Sequence, residues 1–203
     1  MIRPPERLPE RDAAIEAMLP GVPFDGWTLR ALRSGLAASG LPDDEAAILF
    51  PGGAADMIAV FCDLADRRMT EAAASISATR LSARVQAIIE LRLAMNRPHR
   101  EAIRRAVAVL ALPGNARTAA AITGRTVDAI WHAAGDRSTD FSWYTKRAIL
   151  TAAYGATLLF WLRDTSDNDA DTRAFLARRM QGISRLLRVR GRASGWLGRL
   201  RPA

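Results

Sequence analysis

Histidine, aspartate and glutamate side chains are the groups in this chain that could carry out acid–base catalysis or bind a metal ion. Its two histidines, His99 and His132, lie within helical patterns and far apart in sequence. A metal site or a general base needs such groups to converge with carboxylates, and the Glu-x-x-His pairs of helical di-iron sites do not occur. We therefore expect a structural role for both histidines, no metal site and no catalytic residue.

A polar cluster precedes the most apolar segment and contains two closely spaced carboxylates. It contains Asp136, Ser138, Thr139 and Asp140. Paired carboxylates are compatible with acid–base work, but oxygen-bearing side chains before a long helix also accept hydrogen bonds from its first N–H groups. Capping is the interpretation that the position favours.

Trp143 and Tyr144 follow this cluster and are adjacent, so a helix points them about 100° apart. They cannot both be centred in one core, and we expect at least one near the surface. Aromatic area beside Lys146 and Arg147 is typical of protein interfaces. Packing of both rings against neighbouring helices remains the alternative.

The composition is that of a folded protein with an uneven charge distribution. The chain has 203 residues, 49% of them apolar, one cysteine and a net charge of +8. Residues 1–60 carry five arginines against nine acids, whereas residues 173–203 carry nine arginines and no acid.

The longest uncharged run, Ala148–Leu162, is 15 residues long, short of the ~20 that span a bilayer. The first residues fit neither a secretory signal nor a mitochondrial presequence, and we expect a bacterial cytoplasmic protein, peripheral to the inner membrane.

Helical periodicity without β-type alternation predicts an all-α fold with one compact domain and a basic tail. We expect a flexible segment over residues 1–9, one domain over 10–190 and a tail over 191–203. Turn residues and caps place the predicted helices at Glu10–Leu19, Trp27–Ser39, Asp43–Phe50, Ala54–Ala74, Leu81–Met95, His99–Leu112, Thr118–Ala134, Thr139–Leu162 and Asp169–Arg188.

The basic C-terminal region has an amphipathic pattern up to about residue 190. Beyond it, apolar residues stand beside arginines, which is typical of contact with an anionic membrane surface. The alternative is that 173–190 packs on the domain and only the end is free. Glycines at 191, 195 and 198 weaken the helix there. The residues that we expect at the membrane are Arg192, Trp196, Leu197, Arg199, Leu200 and Arg201.

Nucleic-acid binding is the other function that a basic tail suggests. The three short N-terminal helices are compatible with a helix-turn-helix. A helix that reads a DNA groove needs cations for phosphates and hydrogen-bonding side chains for bases. Because Asp43–Phe50 offers three acids and no arginine, we expect no nucleic acid partner.

The stretch from Trp131 to Leu150, Trp-His-x-Ala-Gly-Asp-x-Ser-Thr-Asp-Phe-x-Trp-Tyr-Thr-Lys-Arg-Ala-x-Leu, resembles the family of the ninth coenzyme Q biosynthesis protein and its bacterial relatives. Further matches cover most of residues 8–190, and they fall at Phe24–Thr28, Leu49–Gly53, Tyr154, Thr157, Asp164 and Phe175–Arg179.

The resemblance implies a TetR-like helical fold, with a degenerate helix-turn-helix-like part over 10–53 and a lipid-binding part over 54–190. It implies a non-enzymatic accessory protein that presents isoprenoid quinone intermediates to the di-iron demethoxyubiquinone hydroxylase, with lipid as cargo and no other cofactor. The family's partner-binding patch falls on Ile130, Trp143 and Tyr144, and homodimers are expected by analogy. A TetR-like lipid-responsive regulator is the alternative. Without a sharp pocket motif, the nominated lipid-pocket residues are Ile88, Ile89, Val127, Leu150 and Leu158.

Overall fold

The structure, a computed structural model, describes residues 4–42, 46–78, 80–136 and 142–182, with only the backbone for 142–144. Within these ranges the chain is helical and contains no strand, which confirms the predicted all-α class. Short 3₁₀ turns follow α5 and precede α7, α8 and α10. The helices are α1 (Pro9–Met18), α2 (Val22–Asp25), α3 (Leu29–Ala38), α4 (Ala46–Leu49), α5 (Gly53–Ala72), α6 (Leu81–Met95), α7 (Arg100–Leu110), α8 (Ala116–Ala133), α9 (Ser142–Trp161) and α10 (170–182).

The predicted helix Trp27–Ser39 corresponds to α3, which begins two residues later at Leu29 and is preceded by the one-turn helix α2. Pro23 lies in the first turn of α2, where its fixed φ suits a helix. Gly26 ends that turn with φ of 73°, a conformation that glycine adopts without strain. Thr28 then caps α3 by accepting a hydrogen bond from the N–H of Ala31 at 3.2 Å.

The N-terminal part is a closely packed bundle that is tied to α5. Its core side chains, Ile15, Met18, Leu32 and Phe50, are at most 2% exposed. Arginine–aspartate pairs join its residues to α5, and they include a bidentate pair in which Arg7 donates to Asp63 at 2.8 and 2.9 Å. The segment before α1, predicted to be flexible, is therefore anchored at residue 7.

The larger part is arranged around α5, which contacts α1, α6, α7 and α8, while α9 packs on α6 and α8. Its last helix, α10, buries Leu176 and Met180 and is capped by Asp164, which accepts the N–H of Thr172 at 2.8 Å. Among the described residues no single helix has the length and hydropathy to cross a membrane; Arg97–Leu110 and Pro113–Ala133 pass such a test only together, and they are bent by 98°.

Candidate ligand-binding cavity

An apolar cavity of about 340 Å³ lies between α5, α6, α7, α8 and α9, within the range of about 300–1,000 Å³ that is usual for small-molecule sites. Each of the five helices contributes wall residues, because each turns an apolar face towards the interior. The apolar wall residues are Ile58, Phe61, Leu93, Ile103, Ala106, Val107, Leu110, Ala111, Ala119, Ile122, Leu158, Leu159 and Trp161.

Small side chains help to leave this space open, and Gly155 on α9 is the clearest case. A Cβ atom built at Gly155 would have no heavy atom within 4 Å beyond its own helix neighbourhood. Glycine in a helix interior costs about 1 kcal/mol relative to alanine. The helix carries this cost at a position that faces unfilled volume.

A second, larger groove adjoins the cavity on the outer side of α7 and α9. Its volume is about 790 Å³, and it shares the wall residues Val107, Ala111 and Leu159 with the cavity. Leu159 is 54% exposed. An apolar molecule in the cavity can therefore continue along the groove without crossing a polar barrier at these three residues.

A buried polar cluster interrupts the apolar wall. Arg92 of α6 lies with its Nη1 atom 2.6 Å from Oδ1 of Asp66 on α5, an ion-pair distance although the atoms are not aligned for a hydrogen bond. Its Nε donates to the hydroxyl of Tyr154 on α9 at 3.0 Å, and Thr126 of α8 donates to Oδ2 of Asp66 at 3.0 Å. The four residues are at most 7% exposed, and Arg92, Thr126 and Tyr154 face the cavity.

Burial sets the protonation of the cavity groups. Desolvation raises the pKa of the Cys62 thiol to about 12, because it disfavours the thiolate. Desolvation also raises the pKa of the Tyr154 phenol, against the opposing attraction of Arg92. For Arg92, burial alone would lower the pKa, but Asp66 and Tyr154 outweigh it and raise it. At neutral pH the wall therefore presents a neutral thiol, a protonated phenol and a charged guanidinium.

The nominated lipid-pocket residues divide between the cavity wall and the core. Leu158 lines the cavity. Ile88, Ile89, Val127 and Leu150 are not wall residues; they pack in the core with at most 2% exposure. Helical spacing identifies an inward face, but it does not distinguish a side chain that meets another side chain from one that borders empty volume.

The predicted partner-binding residues are described only in part. Ile130 is completely buried, because it lies on the inward face of α8, so it adds nothing to the surface. The backbone of Trp143 and Tyr144 lies in α9, and their side chains are outside the described residues. The predicted membrane-contact residues, 192–201, also lie outside the described residues.

The sequence analysis did not single out Arg92 as a site residue. Arg92 is 4% exposed because it follows Val85 and Ile88 by seven and four residues, so that it lies on their stripe. That spacing was the available signal. An arginine within an apolar helical stripe indicates a buried partner, which here is Asp66.

The histidines lie apart from the cavity wall. His99 contacts the ring of Phe61 at 6.3 Å between centroids, and burial, with a smaller contribution from Arg68, lowers its pKa. His132 is exposed. Over the described ranges, no three His, Cys, Asp or Glu side chains are grouped so that they could hold a metal ion.

Comparison with known proteins identifies the family to which this chain belongs. Residues 116–187, which include α8, α9 and one side of the cavity, match the COQ9 family. The mitochondrial ubiquinone biosynthesis protein COQ9 of Schizosaccharomyces pombe is 34% identical over 185 residues, which cover 90% of this chain and 73% of that protein. The chain belongs to the COQ9 family.

Other COQ9 proteins match over a smaller share of their own length. Human mitochondrial ubiquinone biosynthesis protein COQ9 is 34% identical over 175 residues, 82% of this chain and 55% of the human protein. The Drosophila melanogaster protein is 32% identical and is covered to 58%. The chain thus spans little more than half the length of these relatives, all of which are named as mitochondrial proteins.

The fold is also that of a known regulator class. The crystal structure of a TetR transcriptional regulator from Nitrosomonas europaea superposes with a TM-score of 0.69 and 25% identity, covering 87% of this chain and 99% of that one. A TetR-like fold is therefore confirmed for this COQ9 family member. None of these matched proteins is named for an enzymatic reaction.

Proposed function

We propose that this chain acts in ubiquinone biosynthesis as a non-enzymatic accessory protein, which holds an isoprenoid quinone intermediate and presents it to a di-iron hydroxylase of the quinone ring. The observation that carries the proposal is the apolar cavity walled by α5 to α9 in a COQ9 family member. Burial of an isoprenoid tail stabilises a complex by roughly 25 cal/mol for each Å² of apolar surface removed from water.

The size of the cavity decides which part of such a ligand it holds. About 340 Å³ suits a ring and the beginning of a tail. The remainder of a long tail would lie in the groove that begins at Val107, Ala111 and Leu159. Phe160 and Phe175, whose rings stack at 4.6 Å between centroids, lie on this groove and give the tail an apolar path.

The first experiment is mass spectrometry of lipids extracted from protein purified without detergent. We expect a stoichiometric isoprenoid quinone or its precursor in the wild type and a loss of it in Gly155→Phe, whose ring would occupy the cavity. Gly155→Ala is the matched control and should retain the lipid. Empty wild-type protein, or equal lipid content in all three, would reject a cargo-holding cavity, provided that melting curves show each variant folded.

Partner contact is proposed through Trp143 and Tyr144, on the grounds of the sequence resemblance. Trp143→Ala is expected to weaken association with the hydroxylase while the melting temperature stays within a few degrees of the wild-type value. A large loss of thermal stability would assign the ring to the core instead.

A peripheral location at the inner face of a bacterial membrane is proposed from the basic C-terminal region. On α10, Arg173, Arg178 and Arg179 are exposed while Leu176 and Met180 are buried, so the helix turns cations outward. Removal of 191–203 is expected to lower binding to anionic vesicles and to leave the fold intact. A homodimer is proposed only by analogy with TetR-like proteins.

A lipid-responsive TetR-like regulator is the second candidate, favoured by the fold likeness. Against it stands the chemistry of α4, which corresponds to the predicted helix Asp43–Phe50. Ala46–Leu49 is preceded in sequence by three acids and exposes Ile48 to 78%, and neither feature suits phosphate or base contacts. Specific retardation of the gene's own upstream DNA at physiological salt would favour the regulator over the accessory protein.

A further inference from the structure

The polar cluster on the cavity wall has more hydrogen-bond donors than acceptors. A guanidinium has five N–H donors, and the described contacts of Arg92 engage its Nε with Tyr154 and its Nη1 with Asp66. Within the described residues, Nη1 is enclosed beside Asp66 without an aligned acceptor, and Nη2 has no acceptor and is not one of the fully enclosed polar atoms. Arg92 is 4% exposed and lies on the cavity wall, so an acceptor for Nη2 would have to come from the cavity.

Tyr154 leaves a second donor in the same place. Its oxygen accepts the Nε–H of Arg92, which directs the phenolic hydrogen away from the guanidinium. No acceptor among the described residues is recorded for that hydrogen. A donor at a cavity wall gains a hydrogen bond when a ligand supplies an acceptor there. The two donors belong to residues that are joined by the hydrogen bond from Nε to the phenol, and both residues face the cavity.

We propose that Arg92 and Tyr154 form a head-group site that binds an uncharged oxygen acceptor, such as the carbonyl of a quinone ring, while the apolar wall holds the attached chain. The inference rests on the proposed function in that the cavity must hold a lipid. It also identifies the atoms that bind the polar end of the lipid. The polar end therefore lies inside the cavity.

Charge balance selects an uncharged head group. Asp66 already neutralises Arg92, and the pair lies 2.6 Å apart with Thr126 as a further donor to the carboxylate. A phosphate at this site would add an uncompensated negative charge in a buried environment, which is strongly unfavourable. A ring carbonyl accepts the same two hydrogen bonds without adding charge. The site should therefore favour a quinone over a phospholipid.

The test measures binding of three probes to the full chain: a short-chain ubiquinone, an isoprenoid hydrocarbon of similar length without oxygen, and an anionic phospholipid. Tyr154→Phe removes the phenolic donor, together with the acceptor of the Arg92 Nε–H, and keeps the ring. It should weaken ubiquinone binding about five- to tenfold, the loss of one hydrogen bond, and leave hydrocarbon binding unchanged. Wild-type protein should bind ubiquinone more tightly than the phospholipid.

Thr157→Val is the matched control. Thr157 is completely buried on the same helix and donates to the carbonyl of Ala153 at 2.7 Å, away from the cavity wall. The Thr157→Val substitution removes a buried hydroxyl, as Tyr154→Phe does. The affinity of this variant for ubiquinone should stay within twofold of the wild-type value. If Tyr154→Phe does not fold, the ligand-side comparison on wild-type protein, with ubiquinone against its ring analogue lacking carbonyl oxygens, tests the same contact.

The outcomes separate the two proposals. Equal ubiquinone affinity in wild type and Tyr154→Phe, or an equal loss for ubiquinone and hydrocarbon, would overturn the head-group site and leave a lipid-holding cavity. Tighter binding of the phospholipid than of ubiquinone would overturn the preference for an uncharged head. Failure of the wild type to bind any of the three probes would instead refute the proposed function itself.

Discussion

Two glycines inside helices, Gly35 and Gly155, show how differently the two parts of this molecule are built. A Cβ at Gly35 of α3 would lie 2.5 Å from the carbonyl oxygen of Ala17 on α1, whereas one at Gly155 of α9 would meet no atom within 4 Å. The first glycine permits two helices to touch backbone to backbone. The second borders a cavity. The N-terminal part is filled, and the larger part is arranged around a space.

Two ion pairs, one from each part, differ strongly in burial. Between α1 and α5, Arg67 pairs with Asp12 at 2.7 Å, with side chains 31% and 23% exposed. In the larger part, Arg92 and Asp66 pair with side chains only 5% and 8% exposed. Pairs near the surface contribute about 0–1 kcal/mol, whereas loss of one partner from a buried pair costs about 3–5 kcal/mol.

The largest expected effect is the removal of the buried carboxylate. Asp66→Ala should lower the free energy of unfolding by about 3–5 kcal/mol, because it leaves the charge of Arg92 buried and unpaired. Urea denaturation measures the loss. Asp12→Ala is the control near the surface and should cost about 1 kcal/mol or less. Similar losses for the two variants would contradict the distinction between a buried ion pair and one near the surface.

Gly35→Ala tests the close contact of α1 with α3. The added methyl group would meet backbone atoms, which cannot move aside as a side chain can, and such overpacking costs about 1–3 kcal/mol. Ser34→Ala, at an exposed position of the same helix, should change stability by about 0.5 kcal/mol or less. An unchanged denaturation midpoint for Gly35→Ala would mean that the helices separate easily.

Asp164 connects the larger part to α10, and its effect depends on pH. Burial opposes its ionisation, but hydrogen bonds from Ser166 and Thr172 outweigh this and hold the pKa of Asp164 below its usual value. The stabilisation is therefore present above the unfolded-state pKa of about 3.9 and is lost as the pH falls below it.

Asp164→Ala should cost about 1 kcal/mol at pH 7, as the loss of a helix cap does. The difference between this variant and wild type should shrink as the pH is lowered below about 4. Thermal melts across the pH range measure this, and a constant difference at all pH values would show that the carboxylate charge is not the cause.

The last predicted substitution changes the free energy of unfolding in the opposite direction. Gly155→Ala should stabilise the protein by about 1 kcal/mol, because alanine favours the helix and its methyl group enters open space. The same substitution at Gly35 is destabilising. Urea denaturation of protein freed of lipid measures this, and destabilisation by Gly155→Ala would mean that protein side chains fill the space beside α9.

Sequence periodicity predicted the frame of this fold with few errors. α6 begins and ends at the predicted Leu81 and Met95, and α5 and α8 differ from prediction by at most two residues at either end. The predicted helix Trp27–Ser39 begins at Leu29 instead, because Thr28 has an extended backbone and caps α3. The cavity was less predictable: of five nominated residues, only Leu158 borders it.

The sequence by itself determined the helical class, the inward faces of most helices, the acidic and basic ends of the chain and its family. Local periodicity, turn residues and charge counts carry that information, because they depend on neighbours along the chain. Only the tertiary structure decided that Arg92 meets Asp66 and Tyr154, and that Gly155 borders empty volume while Gly35 touches a backbone. These facts depend on residues that are distant in sequence and on the distances between helices, which no single helix specifies.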